Sequence, residues 1–154
     1  MRDLEKDGGL PANAGRMDFT HTIRVRWADC DPARIAFTGR IPGFALEAIE
    51  AWWEHRVGQD WYRLNFDRDL GTPFVHLSVD FRAPVTPRHL LDCQVRLIGL
   101  GTSSITFRVD GHQDGRLCFT GKFVSVFIEA RAFQKIPAPP EIRELVAPFL
   151  SPED

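Results

Sequence analysis

Two aspartates one residue apart, Asp29 and Asp31, lie in the segment Trp27-Ala28-Asp29-Cys30-Asp31-Pro32, between a strand-like run and a stretch of helical period. Carboxylates in such a place can attack a carbonyl, take a proton from water or, in pairs, bind a divalent cation. Pro32 fixes its own φ and has no N–H, so it ends the run before it. A carboxylate in the resulting loop can face the N-terminus of the next helix across a cleft. Asp31 is therefore the leading candidate for chemistry. Asp29 reads as a turn cap or as the ion-pair partner of an arginine such as Arg26. Two carboxylates without further nearby ligands make a poor cation site, so no metal is expected. Cys30 has no base beside it in sequence and reads as a small packed residue.

The elements that must position these residues follow from hydrophobic period. Residues 19–27 alternate, with Phe19, Ile23, Val25 and Trp27 on one side, which predicts a half-buried strand ending at Pro32. His21 falls on the apolar side and reads as a hydrogen-bonded core or edge histidine. Phe44, Leu46, Ala48, Ile49, Trp52 and Trp53 recur at helical spacing, which predicts a helix over 42–57, with Pro42 in its first turn and Gly58 at its end. So apolar a helix must be covered by a sheet or by another subunit. Its wetter side carries Glu47, Glu50, Glu54, His55 and Arg56.

Residues 61–66 read as a short irregular turn or helix, and 67–71 as a loop. Val75, Leu77, Val79 and Phe81 then form the core stripe of a second strand, with His76 on the opposite face. Residues 91–98 predict a third strand. A hairpin follows from 104–110 and 117–130, turning through Gly111-His112-Gln113-Asp114-Gly115. Its second arm is apolar on both faces, which fits a central place in the sheet, and Gly121 marks a bulge or close packing. Pro137, Pro139 and Pro140 end the sheet, and 141–149 read as a short terminal helix. The order is α+β: a curved antiparallel sheet of about five strands wrapped around one long helix.

With 154 residues the chain suits a single domain, expected over 17–150, after a disordered tail at 1–16. The 44% hydrophobic content, with 12 Phe and 4 Trp, excludes general disorder. A net charge of -2 with scattered basic residues offers no footprint for nucleic acid. No run reaches the ~18 apolar residues of a membrane span, and the first residues lack a signal-peptide core. Cys30, Cys93 and Cys118 are odd in number and show no CxxC spacing, which favours a reducing cytoplasm.

The string from Trp27 to Phe37, the helix after it and the later Gly71-Thr72-Pro73 resemble the hotdog-fold acyl-CoA thioesterases of the 4-hydroxybenzoyl-CoA thioesterase type, over residues 22–130. The resemblance implies a hotdog fold and hydrolysis of an acyl-CoA or aroyl-CoA thioester to free acid and CoA. It needs no cofactor, since CoA is part of the substrate. By the same resemblance Asp31, not Asp29, carries catalysis, and a backbone N–H at or near Thr38 polarises the carbonyl. Gly71 and Thr72 match the segment that reaches the site from the neighbouring subunit, so the unit is a homodimer or a homotetramer.

Thioester hydrolysis suits a single carboxylate, because the leaving thiol, with a pKa of ~8.5, departs with little protonation. An exposed Asp, with a pKa of ~3.9, is a poor base at neutral pH, so a partly apolar pocket must surround it. Phe37, Trp27 and Trp52 are the candidates to line that pocket. Whether Asp31 attacks the carbonyl or activates water stays open. Trp52-Trp53 otherwise reads as core and subunit packing, and His76 as a surface or interface residue.

Two positions depart from the family. Arg34 stands where glycine is common, which implies an altered loop or a side chain reaching toward substrate phosphates. Gly101-Thr102-Ser103-Ser104 stands where the 4-hydroxybenzoyl-CoA enzyme has basic residues, so Thr102 and Ser103 are expected to bind the nucleotide end through loop N–H groups and hydroxyls. Arg88, Arg116 and Lys122 are possible surrogates. A hotdog hydratase or dehydratase is the alternative, but its Asp-x4-His signature is missing, since Ala36 holds the fifth place after Asp31. A non-catalytic acyl-thioester-binding protein is the other, and the retained Asp31 speaks against it.

Overall fold

The computed structural model describes residues 18–153, so the expected tail lies outside the described residues. Strands β1 (Phe19–Ile23), β3 (Phe74–Phe81), β4 (Leu91–Leu100), β5 (Ser104–Gln113) and β6 (Arg116–Val126) form one antiparallel sheet in the order β1-β4-β5-β6-β3. The long helix α1 (Arg40–Val57) packs mainly against β1, β4 and β5, in the curve of this hotdog sheet. Helix α2 (Trp61–Arg68) follows, and a small second sheet joins β2 (Leu70–Gly71), β7 (Ile128–Glu129) and β8 (Gln134–Lys135). Helix α3 (Pro140–Val146) and a 3-10 turn, Ala147–Phe149, close the chain.

Helix α1 starts two residues before the expected Pro42. The Arg40 N–H donates to Phe37 O at 2.8 Å and the Ile41 N–H to Thr38 O at 3.2 Å, so Pro42 falls at the third helical position, where its missing N–H costs nothing. The helix ends where Gly58 takes φ 82, the left-handed cap that glycine adopts freely. One face is fully buried, with Ala45, Ala48, Ile49, Trp52 and Trp53 at its centre. Trp52 meets Phe107 of β5 edge-on at 4.9 Å between centroids, and Trp53 meets Phe127 at 6.4 Å. The tryptophan pair is core.

The β5–β6 hairpin turns on two residues only. Asp114 and Gly115 have φ 50 and 73, the signature of a type I′ turn, so both strands run past the expected five-residue loop. Gly111 belongs to β5, where any Cβ would strike the Phe119 ring. Gly121 pairs in regular register with Val79 and Val109, so close packing and not a bulge explains it.

Two expectations about faces fail. Strand β1 stops at Ile23, four residues short, and Trp27 enters a 3-10 turn (Trp27–Asp29) that leaves its ring 77% exposed instead of buried. The stripe Val75, Leu77 and Phe81 is also exposed. Leu77 lies opposite buried Phe123 and faces the helix side of the sheet, but β3 is the edge strand and α1 packs mainly on the other strands. An apolar stripe on a free edge is a surface awaiting a cover.

Candidate active site

The loop after β1 is a narrow hairpin closed by backbone bonds. The Asp31 N–H donates to Ile35 O at 3.1 Å, the Arg34 N–H to Asp31 O at 2.9 Å and the Phe37 N–H to Asp29 O at 2.8 Å. Asp31 Oδ1 accepts the Ala33 N–H at 2.8 Å, an Asx turn that fixes the carboxylate; Oδ2 accepts no hydrogen bond from the described residues. To turn this tightly, Arg34 takes φ 66, a left-handed conformation that favours glycine, the residue that the resemblance led one to expect there.

Asp29 is occupied differently. Its Oδ2 accepts the Arg26 N–H at 2.8 Å, and its Oδ1 lies 3.7 Å from Arg40 Nε. It caps the 3-10 turn, as expected, and its charge partner is Arg40 and not the Arg26 side chain. Cys30 Sγ donates to Arg26 O at 3.6 Å. Among the described residues no three His, Cys, Asp or Glu side chains gather as a metal site requires.

Seven residues after Asp31, the chain enters α1 with the Thr38 and Gly39 amides donating to nothing among the described residues. These free N–H groups sit at the positive end of the helix, where a carbonyl oxygen gaining charge is stabilised. Beside them lies an apolar cavity of about 350 Å³, lined among others by Ile35, Thr38, Ile41, Phe81, Val85 and Phe119. Burial pushes the Cys118 thiol in its wall above the usual range, so the cavity meets a neutral thiol and not a thiolate.

The expected aromatic lining is not what surrounds this cavity. Phe37 is largely exposed beside it and Trp52 is sealed in the core. The apolar wall comes instead from Ile35, Ile41, Phe81, Val85 and Phe119, which sequence reasoning did not pick out. Phe81 carried a signal, as the last apolar member of the β3 stripe. The others are brought in by tertiary contacts, chiefly the Ala36 N–H bonded to Val85 O at 2.7 Å.

The remaining candidates lie elsewhere. Gly71 is buried in β2, where a Cβ would come within 2.7 Å of the Ile128 side chain. Gly71 and Thr72 line a separate cavity of about 250 Å³ with Leu46, Trp61, Asn65 and Phe74. Thr102 and Ser103 form the β4–β5 turn. Their carbonyls are taken by the Ala138 N–H at 2.8 Å and the Phe127 N–H at 2.9 Å, and Arg143 bonds Gly101 O and Thr102 O. Both pairs therefore sit at the Ser104 end of β5, whereas Asp31, Phe37 and Thr38 sit at the Gln113 end. Ten residues of strand separate these ends, about 33 Å.

The basic surrogates also scatter. Arg88 shares a shallow depression of about 530 Å³ with Trp27, Arg34, Thr86 and Pro87. Lys122 lies on a polar patch with Arg108, whose guanidinium bonds both Asp110 oxygens at 3.1 and 3.2 Å and is held above its usual pKa by that contact. Arg116 is exposed at the start of β6, and His76 is exposed on β3.

Residues 25–146 match the thioesterase-like superfamily, and the chain belongs to it. A thioesterase superfamily protein from Jannaschia sp. CCS1 is 54% identical over 86% of this chain and 93% of its own, with a TM-score of 0.84. A 1,4-dihydroxy-2-naphthoyl-CoA thioesterase from Synechocystis shares the fold at 21% identity, covering 84% of this chain and 96% of its own, with a TM-score of 0.77. The BH1999 gentisyl-coenzyme A thioesterase does so at 22% identity, covering 81% and 99%, with a TM-score of 0.74. No curated protein matches in sequence.

Proposed function

We propose that this protein hydrolyses an acyl-CoA or aroyl-CoA thioester to the free acid and CoA, with Asp31 as nucleophile or general base. The observation that carries the reading is the unengaged Thr38 amide, with that of Gly39 next to it, where Thr38 borders an apolar cavity on the same loop that holds Asp31. A thioester carbonyl placed there points its oxygen at the helix N-terminus, and its acyl group enters the space between Ile35 and Phe119. Donors of this kind typically contribute about 2.7–4 kcal/mol to the transition state. The free Oδ2 of Asp31 then attacks the carbonyl carbon, giving a mixed anhydride that water hydrolyses to the free acid, or takes a proton from the water that attacks; in either case the C–S bond breaks and the thiolate leaves without an acid. No histidine lines this cavity, which counts against the hydratase alternative. Two fold relatives named for 1,4-dihydroxy-2-naphthoyl-CoA and gentisyl-CoA support an aroyl group among the candidates.

The active unit in this reading is a homodimer, alone or paired into a tetramer. Antiparallel pairing of two β3 edges would lay the Phe74 end of one strand beside the Phe81 end of the other. Gly71 and Thr72 of the partner subunit, with its β4–β5 turn, are then brought toward the cavity that holds Thr38. The three cysteines are unpaired, in keeping with a cytoplasmic setting, and no described helix is long and apolar enough to cross a membrane.

Thiol release across a panel of acyl-CoA and acyl-carrier thioesters tests the reading. Asp31→Asn is expected to lose at least about a hundredfold in turnover, about 2.7 kcal/mol. Asp29→Asn should lose much less, because it caps a turn. Wild type that is folded yet cleaves no thioester in the panel would refute the assignment.

A further inference from the structure

The segment 34–38 runs against 81–88, joined by the Ala36–Val85 hydrogen bond, and the two together line a continuous seam. One stretch of it, from Ile35 and Ala36 to Pro84 and Val85, borders the apolar cavity. The next residues out, Arg34 on one side and Thr86, Pro87 and Arg88 on the other, border the depression with Trp27. Character changes sharply along it: hydrocarbon at the Thr38 end, two cations and an indole at the other.

Nothing in the fold accounts for those three side chains. Arg34 and Arg88 form no ion pair among the described residues, and the Trp27 ring is left in water. Arg34 is held at φ 66 and Phe133 at φ 51, whereas Asp69 and Asp114, at φ 53 and 50, belong to a type that tolerates the left-handed region. The opposite bank is rigid. Gln113 is buried and donates from Nε2 to Thr86 O at 2.7 Å and His89 O at 2.8 Å, while its Oε1 accepts the Thr86 N–H at 2.9 Å, which fixes the segment bearing Arg88.

We infer that Trp27, Arg34 and Arg88 bind the nucleotide end of coenzyme A. The guanidinium forks take the phosphates and the indole face takes the adenine. The inference rests on the thioesterase reading, and it replaces the Thr102-Ser103 turn as the nucleotide anchor. A CoA thioester has an apolar group at one end and a polyanion with a base at the other, which is the order found along the seam.

Calorimetric titration of the full chain with CoA, 3′,5′-ADP, 4′-phosphopantetheine and pantetheine tests this without turnover. CoA and 3′,5′-ADP should bind, with pantetheine at least about tenfold weaker than CoA. Arg34→Gly and Arg88→Ala should each weaken CoA and 3′,5′-ADP by about tenfold, and Trp27→Ala should weaken both by a similar factor. Because glycine suits φ 66, Arg34→Gly is expected to keep the fold, and its Tm checks this. CoA affinity within twofold of wild type in Arg34→Gly overturns the inference, as does 4′-phosphopantetheine binding as tightly as CoA, which would point to an acyl carrier instead. A chain that binds 3′,5′-ADP through Arg34 yet cleaves no thioester keeps this inference and sinks the hydrolase; one that cleaves thioesters but ignores 3′,5′-ADP does the reverse.

Discussion

Where β5 begins, the β4–β5 turn has its carbonyls bonded to Arg143, Ala138 and Phe127, and Gly71 is packed so closely on Ile128 that a methyl group would collide. Where β5 ends, the loop carrying Asp31 leaves a carboxylate oxygen, two amides and the Arg34 guanidinium unengaged, Arg88 is unpaired on the facing segment, and Thr38 borders an apolar cavity. Both ends are made of the same strands. The first has its turn carbonyls taken within the chain and acts as a fitted part, with the Trp61 indole N–H beside Gly71 the buried group left without a partner there; the second has left polar groups available for a ligand. Unpaired polar groups near an apolar space cost stability, and the proposed chemistry uses those that the second end leaves free. The closed end still holds Gly71 and Thr72, and about 33 Å of strand keeps them from Asp31 within one chain.

The sharpest way to break this contrast is to prevent the closed end of one chain from meeting the open end of another. Leu77 is 45% exposed on the edge strand, so lysine there disturbs little inside the protomer. A charge pointing inward from an edge is an effective block to strand pairing. In the proposed dimer, Leu77→Lys should yield monomers by sedimentation and lower turnover by about a hundredfold or more, about 2.7 kcal/mol of transition-state stabilisation. Wild type that sediments as a monomer with undiminished turnover would show that the open end suffices alone.

A smaller effect sharpens the contrast by loosening the open end without touching the reacting groups. Gln113→Leu removes three hydrogen bonds from residues 86–89, at a cost of about 2 kcal/mol. For a chain of this size that corresponds to a fall of about 4–8 °C in Tm. Amide exchange should quicken at Thr86, whose N–H Gln113 accepts, and stay unchanged at Gly101, whose N–H is bonded to Ser104 O. Equal quickening at both ends would mean that they are not independent.

Legibility in the sequence followed the reach of the forces involved. Helix α1, the order of strands and the hairpin arms were readable because period and turn residues report local geometry, and the resemblance added the loop and the role proposed for Asp31. The pocket lining was misread. Trp27 and Trp52 look equally apolar in sequence, yet a 3-10 turn throws one into solvent while Phe107 seals the other in the core. Val75 and Leu77 show the same limit, since alternation reveals a stripe but not whether the helix reaches it. Gln113, three hydrogen bonds from the opposite bank, gave no sequence signal beyond sitting near a turn.

The smallest predicted change runs in the stabilising direction and bears on why the open end is built as it is. A side chain in the left-handed region costs about 1–2 kcal/mol in the folded state, and glycine removes that cost. Glycine also adds freedom to the unfolded chain, which takes back about 0.4–1 kcal/mol. Arg34→Gly should therefore raise stability by up to about 1.6 kcal/mol, or about 3–6 °C in Tm. Asp114 makes the counterpart: it has a similar φ within a type I′ turn, but aspartate is at ease there, so Asp114→Gly should give less. A gain at position 34 that accompanies weaker CoA binding would mean that the arginine is kept against the preference of its own backbone for what its side chain reaches. A lower Tm in Arg34→Gly would instead make Arg34 a structural part of the loop, and the open end would lose its clearest sign of strain held for function.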